Sequence, residues 1–330
     1  MMNGHELKKR INDCVGWLVL RPLYAIVPHL PLRISYALAE KLGLFAYLTL
    51  FPYRKRVLEN LRVAFRKEKG DKELKVIARE MSIHMVKGAV ELLYSCSPSM
   101  EKIFARVKVI GKENLDSART KKRGVVAISS HLGNFTLLGR RLEKDGYPFY
   151  TLRKDPKGPL LTRFYRTLER IYGGRFIYVE PWKECLRTMM GCLRNNEIVC
   201  FIPDENKRHG GVKVDFFGQK ASTAIGPAVL ALRTGASVIP VFIIRERDDT
   251  HTLIIEPELN CEISGDRDKD VYLLTSAYTR IIEDYVRRYP AQWPWISNRW
   301  REKPPRKRVR AKRLDHITKT MDEQNSTEPS

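Results

Sequence analysis

The chain has 330 residues, which is enough for one large domain or two smaller ones with a full core, so its size excludes neither arrangement. Its 60 lysines and arginines against 38 acidic residues give a formal charge of +22, which predicts attraction to anionic lipid headgroups, nucleic acid or an acidic carrier protein. The six cysteines contain no Cys-x-x-Cys pair, a pattern that favours reduced thiols in a cytosolic compartment over a disulfide framework.

An apolar and aromatic segment predicts that residues 1–32 associate with a membrane. The stretch 15–32 contains Arg21 and three prolines, whereas a helix that crosses a bilayer needs about 20 uninterrupted apolar residues. Trp17 and Tyr24 are typical of a segment that lies in the headgroup zone, so we expect an interfacial or re-entrant anchor. A buried amphipathic helix of the globular domain is the alternative. No small-residue cleavage site follows, so we do not expect a secretory signal peptide.

Residues 33–106 show apolar side chains at spacings of three and four, which predicts a helical subdomain. Lysines and arginines between positions 54 and 69 give this subdomain a basic face. Such a face is most often only solvated, but it is also a candidate surface for acidic partners.

Residues 107–302 alternate between strand and helix patterns and form the predicted α/β domain. Strands separated by helices of ten or more residues favour a mixed, largely parallel sheet flanked by helices. The expected strands are 124–129, 148–152, 176–179, 198–203, 238–244 and 252–256, and the expected helices are 134–144, 160–172, 183–194, 223–233 and 271–288. Residues 303–330 are basic and polar, and we expect a disordered tail there.

His131 is the best candidate for chemistry in the predicted α/β domain. It follows a buried strand, and the ends of parallel strands are where α/β sheets place their sites. Gly133 and Asn134 allow a close approach of backbone to a ligand, and the N-terminus of the next helix can stabilise an anion. A base for a hydroxyl and donors for an oxyanion are the parts of an acyl-transfer site. The alternative, for any single histidine, is a structural role.

Other enzyme chemistries lack their motifs in this sequence. There is no Gly-x-Ser-x-Gly elbow, no Gly-x-Gly-x-x-Gly dinucleotide loop and no Walker-type lysine loop. The remaining histidines show no metal-ligand spacing, so we expect no metal site. We expect no nucleic-acid partner either, because the basic composition comes without a reading motif or an aromatic platform.

The run His131-Leu132-Gly133-Asn134-Phe135 resembles the motif of the late acyltransferases of lipid A biosynthesis, the lauroyl and myristoyl transferase family of the lysophospholipid acyltransferase-like superfamily. Further matches follow in order along residues 10 to 305. They are Asp204-Glu205, Gly210-Gly211, Phe216-Phe217-Gly218, Ala221 to Pro227, Ala231 to Ala236 with Pro240-Val241-Phe242, Gln292 to Trp295, and Arg299-Trp300-Arg301.

The resemblance implies transfer of a fatty acyl chain from a thioester to a hydroxyl of a membrane lipid, with a lipid A precursor as the expected acceptor. The donor would be acyl carrier protein or coenzyme A, as a co-substrate, and no cofactor is implied. The implied location is the cytoplasmic face of the inner membrane, with peripheral or N-terminal attachment. One positive field would attract an acidic carrier, a phosphorylated lipid and an anionic bilayer.

The resemblance also implies roles for individual residues. His131 would be the general base, and Gly133 and Asn134 would shape the turn and lend an N–H to the oxyanion. Arg153 and Arg170 would position acceptor phosphate or the carbonyl, since the guanidinium fork matches phosphate oxygens; the alternative is that both are solvated. The other positions that we expect at the site are Phe135, Asp204, Glu205 and Phe217, with core packing as the alternative for Phe217.

Thr136 departs from the family pattern, which has Asp or Glu five residues after the histidine. A threonine hydroxyl can accept the imidazole N–H, but it cannot offset the charge of a protonated ring. Either a carboxylate reaches His131 from elsewhere, with Asp204 and Glu205 as the candidates, or the chain is an impaired homologue that serves as a lipid-binding scaffold. If the chain is an impaired or rewired acyltransferase, Thr136→Glu should raise turnover markedly.

Overall fold

The computed structural model describes residues 4–66, 68–95, 97–156, 158–207 and 210–300. The predicted tail, 303–330, lies outside these residues. The part of the chain before residue 107 is helical, as its apolar spacing predicts, and a 3-10 turn at Val27–His29 separates its first two helices. These helices are α1 (Gly4–Ile26), α2 (Leu32–Thr49), α3 (Phe51–Phe65), α4 (Asp71–Ser95) and α5 (Met100–Phe104).

Strands and helices alternate through the rest of the described chain. The strands are β1 (Val107–Ile110), β2 (Val125–Ile128), β3 (Phe149–Arg153), β4 (Arg175–Tyr178), β5 (Ile198–Phe201), β6 (Gly211–Phe216), β7 (Gln219–Ala224), β8 (Ser237–Arg245) and β9 (His251–Ile255). The helices are α6 (Lys112–Thr120), α7 (Thr136–Lys144), α8 (Pro159–Tyr172), α9 (Trp182–Arg194), α10 (Gly226–Thr234) and α11 (Arg267–Arg288), followed by a 3-10 turn at Pro290–Gln292.

Seven of the strands form one mixed sheet in the order β1-β9-β8-β2-β5-β3-β4. Strands β8, β2, β5, β3 and β4 run in one direction, while β9 pairs antiparallel with β8 and parallel with β1. Every residue of β2 and β8 is buried, as expected for strands covered on both faces. The predicted fold class, α/β with a mixed, largely parallel sheet, is confirmed.

The two faces of the sheet carry different helices. Side chains of α7 pack with Val125 and Ala127 on one face, whereas α9, α10 and α11 pack with Val126 and Ile128 on the other. The chain leaves β2 toward β3 and leaves the adjacent β5 in the opposite direction, toward β8. These two connections pass over opposite faces of the sheet, and a crevice opens between them at the carboxyl ends of β2 and β5, where ligands bind in open α/β sheets.

A β-hairpin replaces the first part of one predicted helix. The expected helix 223–233 begins only at Gly226, because Thr223 belongs to β7, which pairs antiparallel with β6. The two-residue turn consists of Phe217 and Gly218, with φ of 55° and 67°. Positive φ at both positions suits the right-handed twist of a hairpin, and packing of the Phe217 ring against Phe65 and Trp295 offsets its unfavourable backbone conformation.

Helix α1 packs along α8. The carboxylate of Asp13, which is buried, accepts the backbone N–H groups of Leu160 and Leu161 at 3.0 Å each, and so caps the first turn of α8. Gly16 faces the Leu161 side chain, and the rings of Tyr24 and Phe164 meet edge to face. One side of α1 is therefore fixed to the α/β domain.

The opposite side of α1 and one side of α2 expose apolar side chains. On α2, exposed residues recur at helical spacing, with Leu42 58% and Phe45 64% exposed. The others in this stripe are Ile34, Leu38 and Leu48, and α1 adds Val15, Leu18, Val19, Leu23 and Ile26. Among the described helices, none is by itself long and apolar enough to cross a bilayer; α2 and α3 meet that requirement only as a pair, with an 88° bend between them.

Candidate active site

His131 and Asp204 come together at the crevice between β2 and β5, because they follow these two strands, which are neighbours in the sheet. The Nδ1 atom of His131 lies 2.7 Å from Asp204 Oδ1, and the backbone N–H of His131 donates to Asp204 Oδ2 at 2.8 Å. One carboxylate thus holds both the ring and the main chain of the histidine. A third bond reaches Oδ2 from the indole N–H of Trp293 at 2.8 Å.

The pair is electrostatically coupled. Burial by itself would raise the pKa of Asp204, but the His131 charge, with hydrogen bonds from His131 and Trp293, lowers it below its ordinary value. Burial would lower the pKa of His131, but the Asp204 carboxylate and the more distant charge of Glu205 raise it. The imidazole is therefore a stronger base than an isolated histidine.

The ring of His131 faces a cavity. Its Nδ1 is bound to Asp204 while 28% of its side chain is exposed, so Nε2 is the nitrogen left for a substrate. The Phe135 ring meets the imidazole edge to face at 4.8 Å between centroids. These contacts restrict the ring to one orientation.

The cavity has a volume of about 450 Å³, which is within the range of small-molecule sites. Its lining comes from α4 between residues 84 and 92, from the loop 131–136, from Asp204 and Glu205, and from residues between 291 and 297. His131, Gly133, Asn134, Phe135, Thr136, Asp204 and Glu205 therefore share one cavity.

Gly133 has its backbone committed. Its φ is +59°, and a Cβ at this position would lie 2.1 Å from the carbonyl oxygen of Ile243, so only glycine fits. Its N–H donates to the carbonyl of Gln292 at 3.0 Å. The expected shaping of the turn by Gly133 agrees with this geometry, but the expectation that its N–H serves an oxyanion does not.

Thr136 does not take the place of the carboxylate that orients the imidazole. Its hydroxyl donates to Asn134 Oδ1 at 2.5 Å, and Asn134 Nδ2 in turn donates to Glu91 Oε2 at 2.7 Å. Thr136 opens α7 and lies on the cavity wall, while Nδ1 of His131 is occupied by Asp204. Of the two candidate carboxylates, Asp204 and Glu205, it is Asp204 that contacts the imidazole.

A second histidine, His84, lies on the α4 wall of the same cavity. Burial, together with the positive charges of Arg245 and Lys87, lowers its pKa to about 4. It is therefore neutral at physiological pH. Of the two histidines that line this cavity, His131 is the one whose pKa is raised above its ordinary value.

Arg153 and Arg170 do not line this cavity. Arg153 ends β3, on the same sheet edge as His131, but its guanidinium pairs with Glu169 and lies over the rings of Tyr165 and Phe176. Arg170 is exposed in the last turn of α8. A role for either arginine in positioning an acceptor would require a substrate that extends beyond the cavity.

Phe217 is buried in the aromatic core, against Phe65, Phe216 and Trp295, and is not part of the cavity wall. Its turn position also commits its N–H, which donates to Glu283 Oε2 at 2.6 Å. This placement agrees with the alternative of core packing for Phe217 and not with a contact to a substrate in the cavity. Glu205 lies on the cavity wall with its side chain exposed.

Four residues that support the site did not stand out in the sequence as site residues. Trp293 binds Asp204, Gln292 binds Gly133, and Glu91 with Arg245 supports Asn134. A signal existed for Gln292 and Trp293, which belong to the matched run Gln292 to Trp295, and a buried indole N–H also requires an acceptor. The contacts themselves join parts of the chain more than 40 residues apart, and no local pattern shows them.

Comparison with known proteins places this geometry in a family context. The chain is 28% identical over 206 residues to a phosphatidylinositol mannoside acyltransferase of Mycolicibacterium smegmatis, a match that covers 62% of this chain and 66% of that protein. It is 26% identical over 298 residues to a lipid A biosynthesis palmitoleoyltransferase of Escherichia coli, covering 87% and 91%. A lipid A biosynthesis acyltransferase of Haemophilus influenzae is 24% identical over 321 residues, covering 89% and 95%.

The match to the mycobacterial relative stops just short of two thirds of that protein's length. The family model of the bacterial lipid A biosynthesis acyltransferases, in contrast, matches residues 5–302, which include the α/β domain, the helical region and the whole cavity. The chain therefore belongs to the bacterial lipid A biosynthesis acyltransferase family.

Proposed function

We propose that this protein transfers a fatty acyl chain from an acyl thioester to a hydroxyl group of a membrane lipid, with His131 as the general base. The observation that carries the proposal is the bond between His131 Nδ1 and a buried carboxylate, beside a cavity, in a chain of this family. Relatives named for lipid A and for phosphatidylinositol mannosides support a glycolipid acceptor, with a lipid A precursor as the first candidate.

In the proposed reaction, His131 Nε2 takes the proton of the acceptor hydroxyl while the hydroxyl oxygen attacks the thioester carbonyl carbon. The imidazolium that forms lies against Asp204, whose negative charge offsets it. Collapse of the tetrahedral intermediate breaks the C–S bond, and the departing thiolate receives the proton from His131. The products are the O-acylated lipid and the free thiol, so the reaction needs no cofactor beyond the thioester co-substrate.

The oxyanion of the intermediate requires donors other than Gly133. Helix α7 begins at Thr136, which lines the cavity. In its first turn the N–H groups of Leu137 and Leu138 donate to the carbonyls of Asn134 and Phe135, at 3.0 and 3.2 Å. We propose the backbone N–H of Thr136, at the positive end of the helix dipole, as the oxyanion donor. The position agrees with the expectation that the helix N-terminus stabilises an anion.

The site for the thioester and the site for the lipid need to meet at the membrane. We propose that the exposed apolar stripes of α1 and α2 rest on the inner membrane, with the basic residues attracting anionic headgroups and the carrier of the acyl group. Tyr53 of α3, the helix that follows α2, donates to the Met85 sulfur at 3.1 Å, and Met85 lines the cavity. We propose that the lipid enters the cavity on this side.

The α2 stripe is expected to decide membrane affinity. The double variant Leu42→Asp and Phe45→Asp should lower the partition coefficient onto vesicles containing anionic phospholipid at least tenfold. Each substitution removes an exposed apolar side chain whose burial in the bilayer would contribute on the order of 1 to 2 kcal/mol. Vesicle co-sedimentation measures the change. Ile263→Asp is the matched control, since Ile263 is 70% exposed but lies outside α1 and α2. Equal losses in both variants would show that α2 has no special role.

Thr136→Glu is now expected to bring no gain. The change removes the hydroxyl bond to Asn134 and places a carboxylate next to the oxygen of that amide, close to Glu91, while Asp204 already occupies Nδ1. We expect kcat/KM for acyl transfer to stay level or fall up to about tenfold, and Thr136→Ser to stay near the wild-type value. A tenfold rise in the glutamate variant would instead mean that the chain is an impaired enzyme.

The proposed function is tested with the purified full-length protein on anionic vesicles. Acyl carrier protein and coenzyme A thioesters are offered as donors, and lipid A precursors, phosphatidylinositol mannosides and phospholipids as acceptors, with mass spectrometry of the products. Acylation of a lipid hydroxyl supports the proposal and identifies the pair of substrates. No transfer with any pair would leave a lipid-binding scaffold as the better account.

A further inference from the structure

Arg245, at the end of β8, is the centre of a buried group of bonds behind the active-site loop 131–136. Its side chain is 3% exposed and binds both oxygens of Glu91, at 2.5 and 2.8 Å. Its backbone N–H donates to Gln292 Oε1 and its carbonyl accepts from Gln292 Nε2, both at 2.8 Å. The residue therefore joins α4, through Glu91, to the 3-10 turn that contains Gln292.

Both arms of this group end on consecutive residues of the loop. The Gln292 carbonyl accepts the N–H of Gly133 at 3.0 Å, and Glu91 Oε2 accepts Asn134 Nδ2 at 2.7 Å. Asp204 holds His131 two positions earlier. Three separate elements thus fix the loop at three points within four residues.

Glu91 is well suited to a permanent contact. Its side chain is completely buried and accepts from Tyr36 Oη at 2.6 Å as well as from Arg245 and Asn134, and His251 Nε2 lies 3.4 Å away. Burial would raise the pKa of Glu91, but His251 and Arg245 lower it below its ordinary value, so the carboxylate is ionised. A charge-assisted bond to Asn134 is stronger than a bond between neutral groups.

We propose that the Glu91–Arg245 pair is a positioning element for the active-site loop, which it holds through Asn134 and Gln292 so that His131 Nε2 faces the substrate. The inference rests on the proposed acyl transfer for its kinetic part only. The proposal gives the Glu91 carboxylate a role near Thr136. The side-chain amide of Asn134 bridges the two residues, since it donates to Glu91 and accepts from the Thr136 hydroxyl.

The first test is Glu91→Gln, which keeps the shape of the side chain but removes one acceptor and the negative charge. Hydrogen–deuterium exchange of the full-length protein is expected to speed up at least tenfold in peptides that contain residues 131–136. Asp270→Asn is the matched control, because Asp270 is also a buried carboxylate, bound to Ser264 and Gly265 outside the cavity. Unchanged exchange in the loop of the glutamine variant would overturn the inference, whether or not the protein is active.

The second test is kinetic and separates positioning from general stability. Glu91→Gln should lower kcat about 10- to 100-fold with little change in KM for the donor, since a misplaced base costs rate more than binding. If Glu91 acts through Asn134, adding Asn134→Ala should cause little further loss; independent, multiplying losses would contradict this route. Should Glu91→Gln fail to fold, Glu91→Met with Arg245→Met removes both charges together and is expected to show the same loop exchange and the same loss of kcat.

Discussion

Replacing His131 with alanine is expected to lower kcat for acyl transfer by about 10³-fold, because the hydroxyl of the acceptor then loses its general base. The imidazole lines the described cavity, its pKa is raised from its ordinary value, and its Nε2 is the nitrogen that Asp204 does not bind. The measurement is single-turnover acyl transfer from the preferred thioester to the preferred lipid, with vesicle binding checked in parallel.

His84→Gln is the control for this change. His84 lies on the wall of the same cavity, but its pKa of about 4 keeps it neutral, so it cannot provide the titration of a base near pH 7. We expect this variant to keep the pH dependence of the wild type and most of its kcat. Full activity in His131→Ala would remove His131 from the mechanism.

Asp204→Asn is expected to lower kcat about 10²- to 10⁴-fold, since the imidazolium that forms during transfer would lie against a neutral amide instead of a carboxylate. The amide also cannot accept all the bonds that Asp204 accepts from His131 and Trp293 while one of its groups is a donor. Glu205→Gln is the control, because Glu205 is adjacent in sequence and exposed.

The same variant should change the pH dependence in a defined direction. His131 acts as a base only when it is deprotonated, so wild-type activity falls as the pH drops through its raised pKa. Without the Asp204 charge, burial dominates and lowers that pKa, so the acid limb of the kcat/KM profile should move to lower pH. Glu205→Gln should move the limb in the same direction by less, and a shift to higher pH in Asp204→Asn would contradict the assignment.

Much of the fold could be predicted from local patterns, because a strand or helix that buries one side has a characteristic period. The apolar runs 124–129 and 238–244 predict β2 and β8 closely, since both are buried on two faces. The hairpin of β6 and β7 was missed. Its turn contains a phenylalanine with positive φ, which only the packing of that ring in the core makes acceptable.

The candidate site is likewise only partly predictable from the sequence. The motif and its position after a strand are enough to select His131. The sequence also offers two acidic candidates for its partner, Asp204 and Glu205. The choice between Asp204 and Glu205 depends on which side chain points from the end of β5 toward β2, and neighbouring residues after a strand point to different sides. The ion pair of Arg153 could not be predicted from the sequence either, because its partner Glu169 lies on a different element, α8.

The amino-acid sequence by itself determined the fold class, the basic and apolar surfaces and the histidine at the end of a strand, because composition and periodicity are local properties. Only the tertiary structure decided which carboxylate binds that histidine, since β2 and β5 become neighbours through chain topology and not through sequence distance. It also showed that Thr136 is held by Asn134 and Glu91. A hydrogen bond depends on distances of about 3 Å between atoms, and packing alone sets those distances.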